Sequence, residues 1–276
     1  MGYKLVCIDM DGTLLNSKHK VSNASKEALL KAHNKGVKIV ISTGRMYSDA
    51  EFFSNLIGVK APVIASNGAF IKQKNEKEAI YKNILEEKLF VKLLNVFIKY
   101  KVYPTFYTPQ NAYCGSIIIK VFVEYIKLRG GMSRATKIKH IKTMKQWDKV
   151  FKIEKNNIVK CEVMHKDTEK LLKVRAEIQK IEGIEIVSSS KHNIEITSKG
   201  VSKGRAVEKL ANYYNIKKDE IIAIGDSEND ISMIEFAGMG IAMGNAIERV
   251  KQKSDFITDT NDNEGVAKAI NKFIID

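Results

Sequence analysis

The sequence has few residues of the kinds that build disulfide frameworks or zinc sites. Its three cysteines, Cys7, Cys114 and Cys161, are scattered along 276 residues and form no Cys-x-x-Cys pair. An odd number of widely separated cysteines argues against a disulfide framework. The five histidines are dispersed and do not show the spacing of zinc ligands. We therefore expect neither disulfides nor zinc in this protein.

Long apolar runs are also missing. No stretch approaches the ~20 apolar residues that span a bilayer. The short apolar run at residues 4–8 leads straight into Asp9, and we interpret it as a buried strand rather than a signal peptide. A hydrophobic content of 44% is ordinary for a soluble globular protein. These features predict a cytoplasmic protein without a membrane partner.

The charge is strongly positive and unevenly distributed. The formal net charge is +14, and residues 83–196 hold 22 Lys and Arg against 12 Asp and Glu. A basic segment of this kind can attract nucleic acid. However, lysine dominates over arginine, and few aromatic residues lie between the charges to stack on bases. We therefore do not expect nucleic acid as a partner, whereas attraction of small anions remains open.

The pattern of apolar runs divides the chain into three parts. Residues 1–82 alternate strand and helix with short links, which predicts a parallel sheet with right-handed crossovers. The same pattern returns at residues 198–276. The intervening residues 83–197, which we call the cap segment, predict an α+β module with an antiparallel sheet, including a helix at 116–128. The predicted fold class is α/β, with a discontinuous, Rossmann-like parallel-sheet core and an inserted α+β domain.

Polar motifs follow three of the predicted core strands. Because parallel strands bring their carboxyl ends to one edge of the sheet, we expect these motifs to lie close together. They are Asp9-Met10-Asp11-Gly12-Thr13, Ser42-Thr43-Gly44-Arg45 and Gly225-Asp226-Ser227-Glu228-Asn229-Asp230.

The first motif has the composition needed for phosphoryl transfer. Asp9 and Asp11 are two residues apart, so an extended backbone places both side chains on one side. One carboxylate can attack phosphorus while the other protonates the leaving oxygen and later activates water. Gly12 permits a tight turn in which backbone N–H groups face phosphate oxygens.

The other motifs supply complementary groups. Thr43 and Gly44 offer a hydroxyl and backbone donors, and Lys203 offers a positive charge at the start of a predicted helix. Residues 200–203 do not match the Walker pattern, so an ATP-binding loop is not expected. Asp9, Asp226 and a backbone carbonyl near Asp11 provide the oxygen ligands that Mg²⁺ prefers.

Taken together, these motifs resemble those of the haloacid dehalogenase superfamily, and more narrowly its Cof-type branch (subclass IIB). The resemblance covers nearly the whole chain. It extends the first motif to Asp9–Leu15 and includes two further stretches, Ser66–Gly68 and Lys199–Gly204. It implies that Asp9 is the phosphorylated nucleophile and Asp11 the general acid and base. The predicted catalytic residues are Asp9, Asp11 and Lys203. The predicted phosphate-binding residues are Met10, Thr43, Gly44, Lys203 and Asn229, and the predicted metal ligands are Asp9, Asp11 and Asp226.

This resemblance implies a Mg²⁺-dependent phosphatase that hydrolyses small phosphate monoesters, such as sugar phosphates or phosphorylated cofactors, through a phosphoaspartate intermediate. The cap segment would then close over the site and contact the leaving group. Two alternatives remain open. One is a phosphomutase of the same fold, and the other is a non-enzymatic protein that binds nucleic acid or an acidic partner through its basic segment.

Overall fold

A computed structural model describes residues 2–59 and 62–276 of the chain. Strands and helices alternate along most of this length. The strands are β1 Leu5–Ile8, β2 Lys38–Ser42, β3 Val63–Ala65, β4 Phe70–Lys72, β5 Tyr81–Lys82, β6 Pro104–Tyr107, β7 Asn111–Cys114, β8 Lys137–His140, β9 Lys160–Met164, β10 Ile184–Val187, β11 Asn193–Ser198, β12 Ile221–Gly225, β13 Met239–Ala242 and β14 Phe256–Ile257.

The helices pack on the faces of the sheets that these strands form. They are α1 Asn23–Asn34, α2 Tyr47–Ile57, α3 Glu87–Lys99, α4 Ile117–Leu128, α5 Met144–Ile153, α6 Thr168–Ile178, α7 Lys203–Tyr213, α8 Ile231–Phe236, α9 Glu248–Lys251 and α10 Gly265–Ile270.

The first sheet has eight strands in the order β14-β13-β12-β1-β2-β3-β4-β5. The first six are parallel to their neighbours, and β4 and β5 continue the sheet in antiparallel orientation. β1 and β12 lie at its centre, and every residue of both strands is buried. Their continuous apolar sequences are therefore explained by cover on both faces of the sheet. The predicted α/β fold class is confirmed.

The carboxyl ends of the central strands meet at one edge of this sheet. β1 pairs with β12 and β2 in register, with Leu5 opposite both Ile221 and Lys38. The residues that follow these strands therefore emerge side by side. This register brings together the three polar motifs that the sequence places far apart.

The second sheet has six strands in the order β10-β11-β9-β6-β7-β8 and is built from the cap segment. Helices α3, α5 and α6 contribute to an apolar core that includes Phe90, Phe106, Trp147 and Phe151. The sequence predicts an antiparallel sheet here, and that prediction is wrong in one place. β7 and β8 run parallel, because α4 intervenes between them and returns the chain to the starting end of β7.

Helix α4 forms where the sequence predicts a helix, despite its β-branched residues. Ser116 caps it by accepting a hydrogen bond from the backbone N–H of Ile119. The sequence analysis did not identify β7, β8 or α5. These elements are short. In β8, whose sequence is Lys-Ile-Lys-His, every second residue is lysine, so its strand pattern is hard to distinguish from a charged loop.

Three further sequence expectations concern absences and boundaries. All three cysteines are buried free thiols in the structure. Among the described residues, none of the helices combines the length and apolar character needed to cross a membrane. The division at residues 82 and 197 stays a prediction, which is supported by the two separate sheets on either side of it.

The aromatic core of the second sheet provides a stability test. Phe106 is fully buried and its ring lies 5.8, 5.3 and 5.1 Å from those of Phe90, Trp147 and Phe151. We expect Phe106→Ala to lower the free energy of unfolding by about 3–5 kcal/mol in urea titrations, because it leaves a cavity. Phe122→Ala, in a residue 56% exposed on α4, is the matched control and should change it by less than about 0.5 kcal/mol. Equal losses in both variants would contradict the packing described here.

Candidate active site

Three carboxylates converge at the carboxyl edge of the first sheet. Asp9 follows β1, and Asp226 and Asp230 follow β12. Each offers one carboxylate oxygen to a group in which all three oxygens lie within 4.8 Å of one another. Such a concentration of negative charge needs compensation by a cation.

Lys203 supplies part of that compensation. It is the first residue of α7 and its side chain is fully buried. Its Nζ donates hydrogen bonds to Asp9 Oδ1 and Asp230 Oδ1, each at 2.6 Å. Burial by itself lowers the pKa of Lys203, but the two carboxylates outweigh it and raise the pKa above its ordinary value. Lys203 is therefore a permanently charged bridge between the two motifs.

The remaining hydrogen bonds distinguish the roles of the three carboxylates. Asp230 uses Oδ1 for Lys203 and Oδ2 for the backbone N–H groups of Asp226 and Ser227, at 3.0 Å each. Asp230 thus fixes the turn after β12. Asp9 commits Oδ1 to Lys203, and in the described part of the chain no donor binds its Oδ2. Asp9 is the carboxylate with an oxygen available for chemistry.

Asp226 is held in place by hydroxyl groups. Its Oδ1 accepts a hydrogen bond from Thr13 Oγ1 at 3.0 Å, and its Oδ2 accepts one from Ser227 Oγ at 2.9 Å. Gly12 makes this approach possible, because a Cβ at that position would lie 2.5 Å from Asp226 Oδ2. Its φ of +78° also favours glycine. The two motifs therefore close on each other through Gly12 and Thr13.

The electrostatics of the cluster fit a divalent cation. Burial and the charge of Asp230 raise the pKa of Asp9 well above its ordinary value, even though Lys203 opposes the shift. Burial and Asp230 likewise raise the pKa of Asp226 to about 6. Both shifts indicate more negative charge than Lys203 offsets. The donor set, carboxylate oxygens with a nearby backbone carbonyl, is the kind that Mg²⁺ prefers. Asp9 and Asp226 are the residues that would hold the ion.

Asp11 has a different partner. Its two carboxylate oxygens accept hydrogen bonds from Arg45 Nε and Nη2, both at 2.7 Å. Partial burial raises the pKa of Asp11, but the hydrogen bond and charge of Arg45 outweigh it and lower the pKa below its ordinary value. The carboxylate of Asp11 is therefore engaged by Arg45 and is not a member of the three-carboxylate cluster. If Asp11 binds the metal, its backbone carbonyl is the remaining group, as the sequence analysis anticipates.

The predicted phosphate-binding residues surround the same edge. Thr43 is buried, and its Oγ1 accepts a hydrogen bond from the N–H of Arg45 at 3.1 Å, which leaves the hydroxyl proton free to donate. A Cβ at Gly44 would lie 2.8 Å from Glu195 Oε2, so a side chain does not fit there. The side chain of Met10 is fully buried in the core, so the backbone of Met10 is the part that faces the site. Asn229 is buried and its Oδ1 lacks a partner among the described residues.

A cavity of about 500 Å³ opens above these residues. Its floor includes Asp9, Asp11 and Thr43 from the core, and its roof comes from the cap segment. Several hydrogen bonds join roof and floor. Lys160 donates to the carbonyl of Gly44 at 2.6 Å, and the backbone N–H of Ser133 donates to Asp49 Oδ1 at 2.6 Å. The roof and the floor are therefore in direct contact beside the cavity.

Several residues of this site were not among the sequence-predicted site residues. Arg45, Asp49, Asn67, Lys160 and Glu195 all contact the cavity or its closure. Asn67 donates to Glu195 Oε2 at 2.8 Å and accepts from Asn229 Nδ2 at 3.1 Å, which links the cap segment to the third motif. Ser66, Asn67 and Gly68 all have positive φ, an unfavourable backbone that tends to mark functional segments. For Asn67, the signal available in the sequence was the Ser66–Gly68 stretch after β3.

Comparison with known proteins identifies the family. The family model of the haloacid dehalogenase-like hydrolases matches residues 6–270. The chain belongs to this family. It is 34% identical to the phosphatase YwpJ of Bacillus subtilis over 96% of this chain and 97% of that protein. It is 32% identical to a second Bacillus subtilis protein, the 5-amino-6-(5-phospho-D-ribitylamino)uracil phosphatase YwtE, over 98% of both chains.

A solved structure is similar over the same length. It is that of the subclass IIB sugar phosphatase BT4131, with a TM-score of 0.82 and 26% identity over 98% of both chains. These findings confirm three predictions from the sequence: the family, the fold class and an enzyme of the phosphoric monoester hydrolase class. The roles of the individual site residues remain predictions.

The raised pKa values lead to a test with Mg²⁺. A carboxylate must be ionised to bind the metal. With the pKa of Asp226 at about 6 and that of Asp9 also raised, binding is complete above these values and lost as the pH falls through them. We expect the Kd for Mg²⁺, measured by titration calorimetry, to rise at least about tenfold from pH 7 to pH 5. Asp226→Asn should bind weakly at both pH values. An unchanged Kd in the native chain would contradict this site.

Proposed function

We propose that this protein is a Mg²⁺-dependent phosphatase that hydrolyses small phosphate monoesters through a phosphoaspartate on Asp9. The observation that supports this most directly is the environment of Asp9. Lys203 binds one of its carboxylate oxygens, no donor among the described residues binds the other, and Asp9 lines the cavity floor in a cluster with Asp226. Bound Mg²⁺ would offset the repulsion between the anionic nucleophile and the anionic substrate.

In the first step, Asp9 Oδ2 attacks phosphorus and the bond to the ester oxygen breaks. Lys203 keeps the carboxylate oriented, and the Thr43 hydroxyl with the backbone N–H groups of the first two motifs would bind the phosphoryl oxygens. Asp11 gives its proton to the departing alkoxide. Because Asp11 pairs with Arg45 in the structure, it must turn from Arg45 and take up a proton before it can act as the acid.

In the second step, water attacks the phosphorus of the acyl phosphate. Asp11, now ionised, removes a proton from this water, and the bond between phosphorus and Asp9 Oδ2 breaks to release inorganic phosphate. The ion pair with Arg45 suits this step because it keeps Asp11 ionised, which is the form that can accept the proton. The two steps thus require two states of Asp11, and Arg45 favours the ionised one.

The cap segment would limit the size and type of the leaving group. We propose that residues 83–197 act as a cap, because Lys160 and Ser133 bind core groups directly beside the site. Two similar proteins are named as a sugar phosphatase and as a 5-amino-6-(5-phospho-D-ribitylamino)uracil phosphatase. Both names describe phosphate esters of a hydroxylated carbon chain. A cavity of about 500 Å³ has room for such a leaving group.

The first test is phosphate release from a panel of phosphate monoesters with and without Mg²⁺. We expect release that needs Mg²⁺ and falls by at least about 10³-fold in Asp9→Asn, because the amide is not a nucleophile. Asp148→Asn, on the exposed side of α5, is the matched control and should retain full activity.

The same assay separates the alternatives. A phosphomutase would transfer the phosphoryl group within or between sugars, require a bisphosphate activator and release little phosphate. A folded protein that binds Mg²⁺ but shows neither activity would contradict the proposal. Salt-sensitive retention on nucleic acid would then favour the binding alternative.

A further inference from the structure

The roof of the cavity contains an array of buried and partly buried polar residues on the second sheet. We call it the cap array, and its members are Tyr107 on β6, Lys160 and Glu162 on β9, and Asn193 and Glu195 on β11. β9 lies between β6 and β11, so these side chains are neighbours on one face of adjacent strands. The proposed function assigns the phosphate to the floor, and the cap array faces whatever the phosphate is attached to.

The positive charge in this array is already neutralised. Lys160 Nζ donates to Glu195 Oε2 at 2.9 Å, and the side chains are 4% and 3% exposed. Burial alone would lower the pKa of Lys160 and raise that of Glu195, but their mutual attraction reverses both shifts. Lys160 also donates to the carbonyl of Gly44. An incoming anion would therefore meet an ammonium group whose charge is balanced by Glu195 and two of whose three N–H donors are engaged.

Glu162 adds a second carboxylate without a matching cation. Its Oε2 accepts from Tyr107 Oη at 2.8 Å and its Oε1 accepts from Asn193 Nδ2 at 3.0 Å. These donors are neutral. Among the described residues, the one cation within 4 Å of Glu162 is Lys160, which lies 3.8 Å from its Oε2 and is already paired with Glu195. Two carboxylates against one ammonium leave the cap array with one net negative charge.

Other polar groups of the lining include His19, Thr136 and Arg45, whose charge is paired with Asp11 and Asp49. A large part of the remaining wall is apolar. It is formed by side chains of the core loop before α2, of β7, β8 and α4, and of the loop after α4. These residues are Met46, Ala112, Ile119, Val123, Met132 and Ile138. A leaving group that fills the cavity therefore meets hydrogen-bond acceptors on one side and hydrocarbon on the other. Asn229 Oδ1 is buried at the floor and has no hydrogen-bond partner in the described part of the chain, so it is one more acceptor that would bind a donor.

We propose that the cap array selects phosphate monoesters whose leaving group carries no second anionic group. Hydroxyl or amino groups of the leaving group donate to Glu162 and its neighbours, and an apolar chain or ring packs on the opposite wall. A carboxylate or second phosphate at the far end is repelled by Glu162, which has no free cation beside it. This inference rests on the proposed function, because it concerns the leaving group of that reaction.

The charge of the cap array is negative, whereas the net charge of the whole chain is positive. The net charge of +14 and the basic cap segment would by themselves favour ligands with several negative charges. Most of that charge lies outside the cavity. Arg129, Arg134, Lys137, Lys139 and Lys142 are exposed, and long-range attraction from such residues speeds encounter without deciding what fits inside.

The experiment compares two esters that differ at one carbon. Sorbitol 6-phosphate ends in a hydroxymethyl group and 6-phosphogluconate ends in a carboxylate. We expect kcat/KM of the native chain to be at least about tenfold higher for sorbitol 6-phosphate, whose leaving group is neutral, than for 6-phosphogluconate. Glu162→Gln keeps the shape and removes the charge, and it should shift the ratio toward 6-phosphogluconate by about tenfold, mainly through KM. Glu182→Gln, an exposed residue of the cap segment, is the matched control and should leave the ratio unchanged.

Hydrolysis of p-nitrophenyl phosphate keeps the two proposals distinguishable. Asp9-dependent hydrolysis of this ester would support the phosphatase proposal by itself. The inference about the cap array is then wrong if the native chain prefers 6-phosphogluconate, if it hydrolyses neither six-carbon ester, or if Glu162→Gln does not change the ratio of kcat/KM values. If no ester is hydrolysed with Mg²⁺ present, both fail together. Native-like unfolding temperatures for both glutamine variants ensure that the comparison reports selectivity.

Discussion

The buried ammonium of Lys203 is the interaction on which the site depends. Asp9 and Asp230 come from opposite ends of the chain, and both would be costly to bury as ions without a cation between them. Lys203 contacts each at 2.6 Å. With Asp230 held by Lys203, its other oxygen can fix the turn that presents Asp226. Asp9, the turn after β12 and the start of α7 are therefore positioned as one unit.

A second set of contacts joins this unit to the cap segment. Asn229, Asn67 and Glu195 form a chain of hydrogen bonds that ends on Lys160, and Lys160 returns to the core at Gly44. Farther out, Arg175 forms an ion pair with Glu228 at 2.9 Å. Because these partners lie on both sides of the cavity, opening the cap would break several charged contacts at once. If residues 83–197 act as the proposed cap, substrate entry and product release would require an open state that these contacts oppose.

Much of the fold was predictable because it follows from short-range patterns. The continuous apolar runs of β1 and β12 and the polar residues just after them are sufficient to place Asp9, Asp11 and Asp226 at one sheet edge. The carboxylate cluster could be anticipated for the same reason. The pairing of Asp11 with Arg45 could not, since it depends on the direction of two side chains after the turns have closed.

The cap segment was less predictable for a different reason. The strands β7 and β8 are four residues long, and their parallel pairing arises from the path of α4 rather than from their sequences. The cap array likewise joins Tyr107, Lys160 and Asn193, which are separated by 53 and 33 positions in the sequence. Nothing in the sequence distinguishes these three residues from ordinary strand residues of a lysine-rich chain. Only the sheet order brings their polar groups to one face.

The most direct test of the account is to trap the covalent intermediate. The enzyme is mixed with a hydrolysed ester and Mg²⁺, quenched in acid and treated with borohydride, which reduces an acyl phosphate to an alcohol. Peptide mass spectrometry then locates the reduced residue. The account predicts conversion of residue 9 to homoserine, dependent on ester and Mg²⁺. Turnover of the ester with no modification at residue 9, or with modification at another carboxylate, would contradict it.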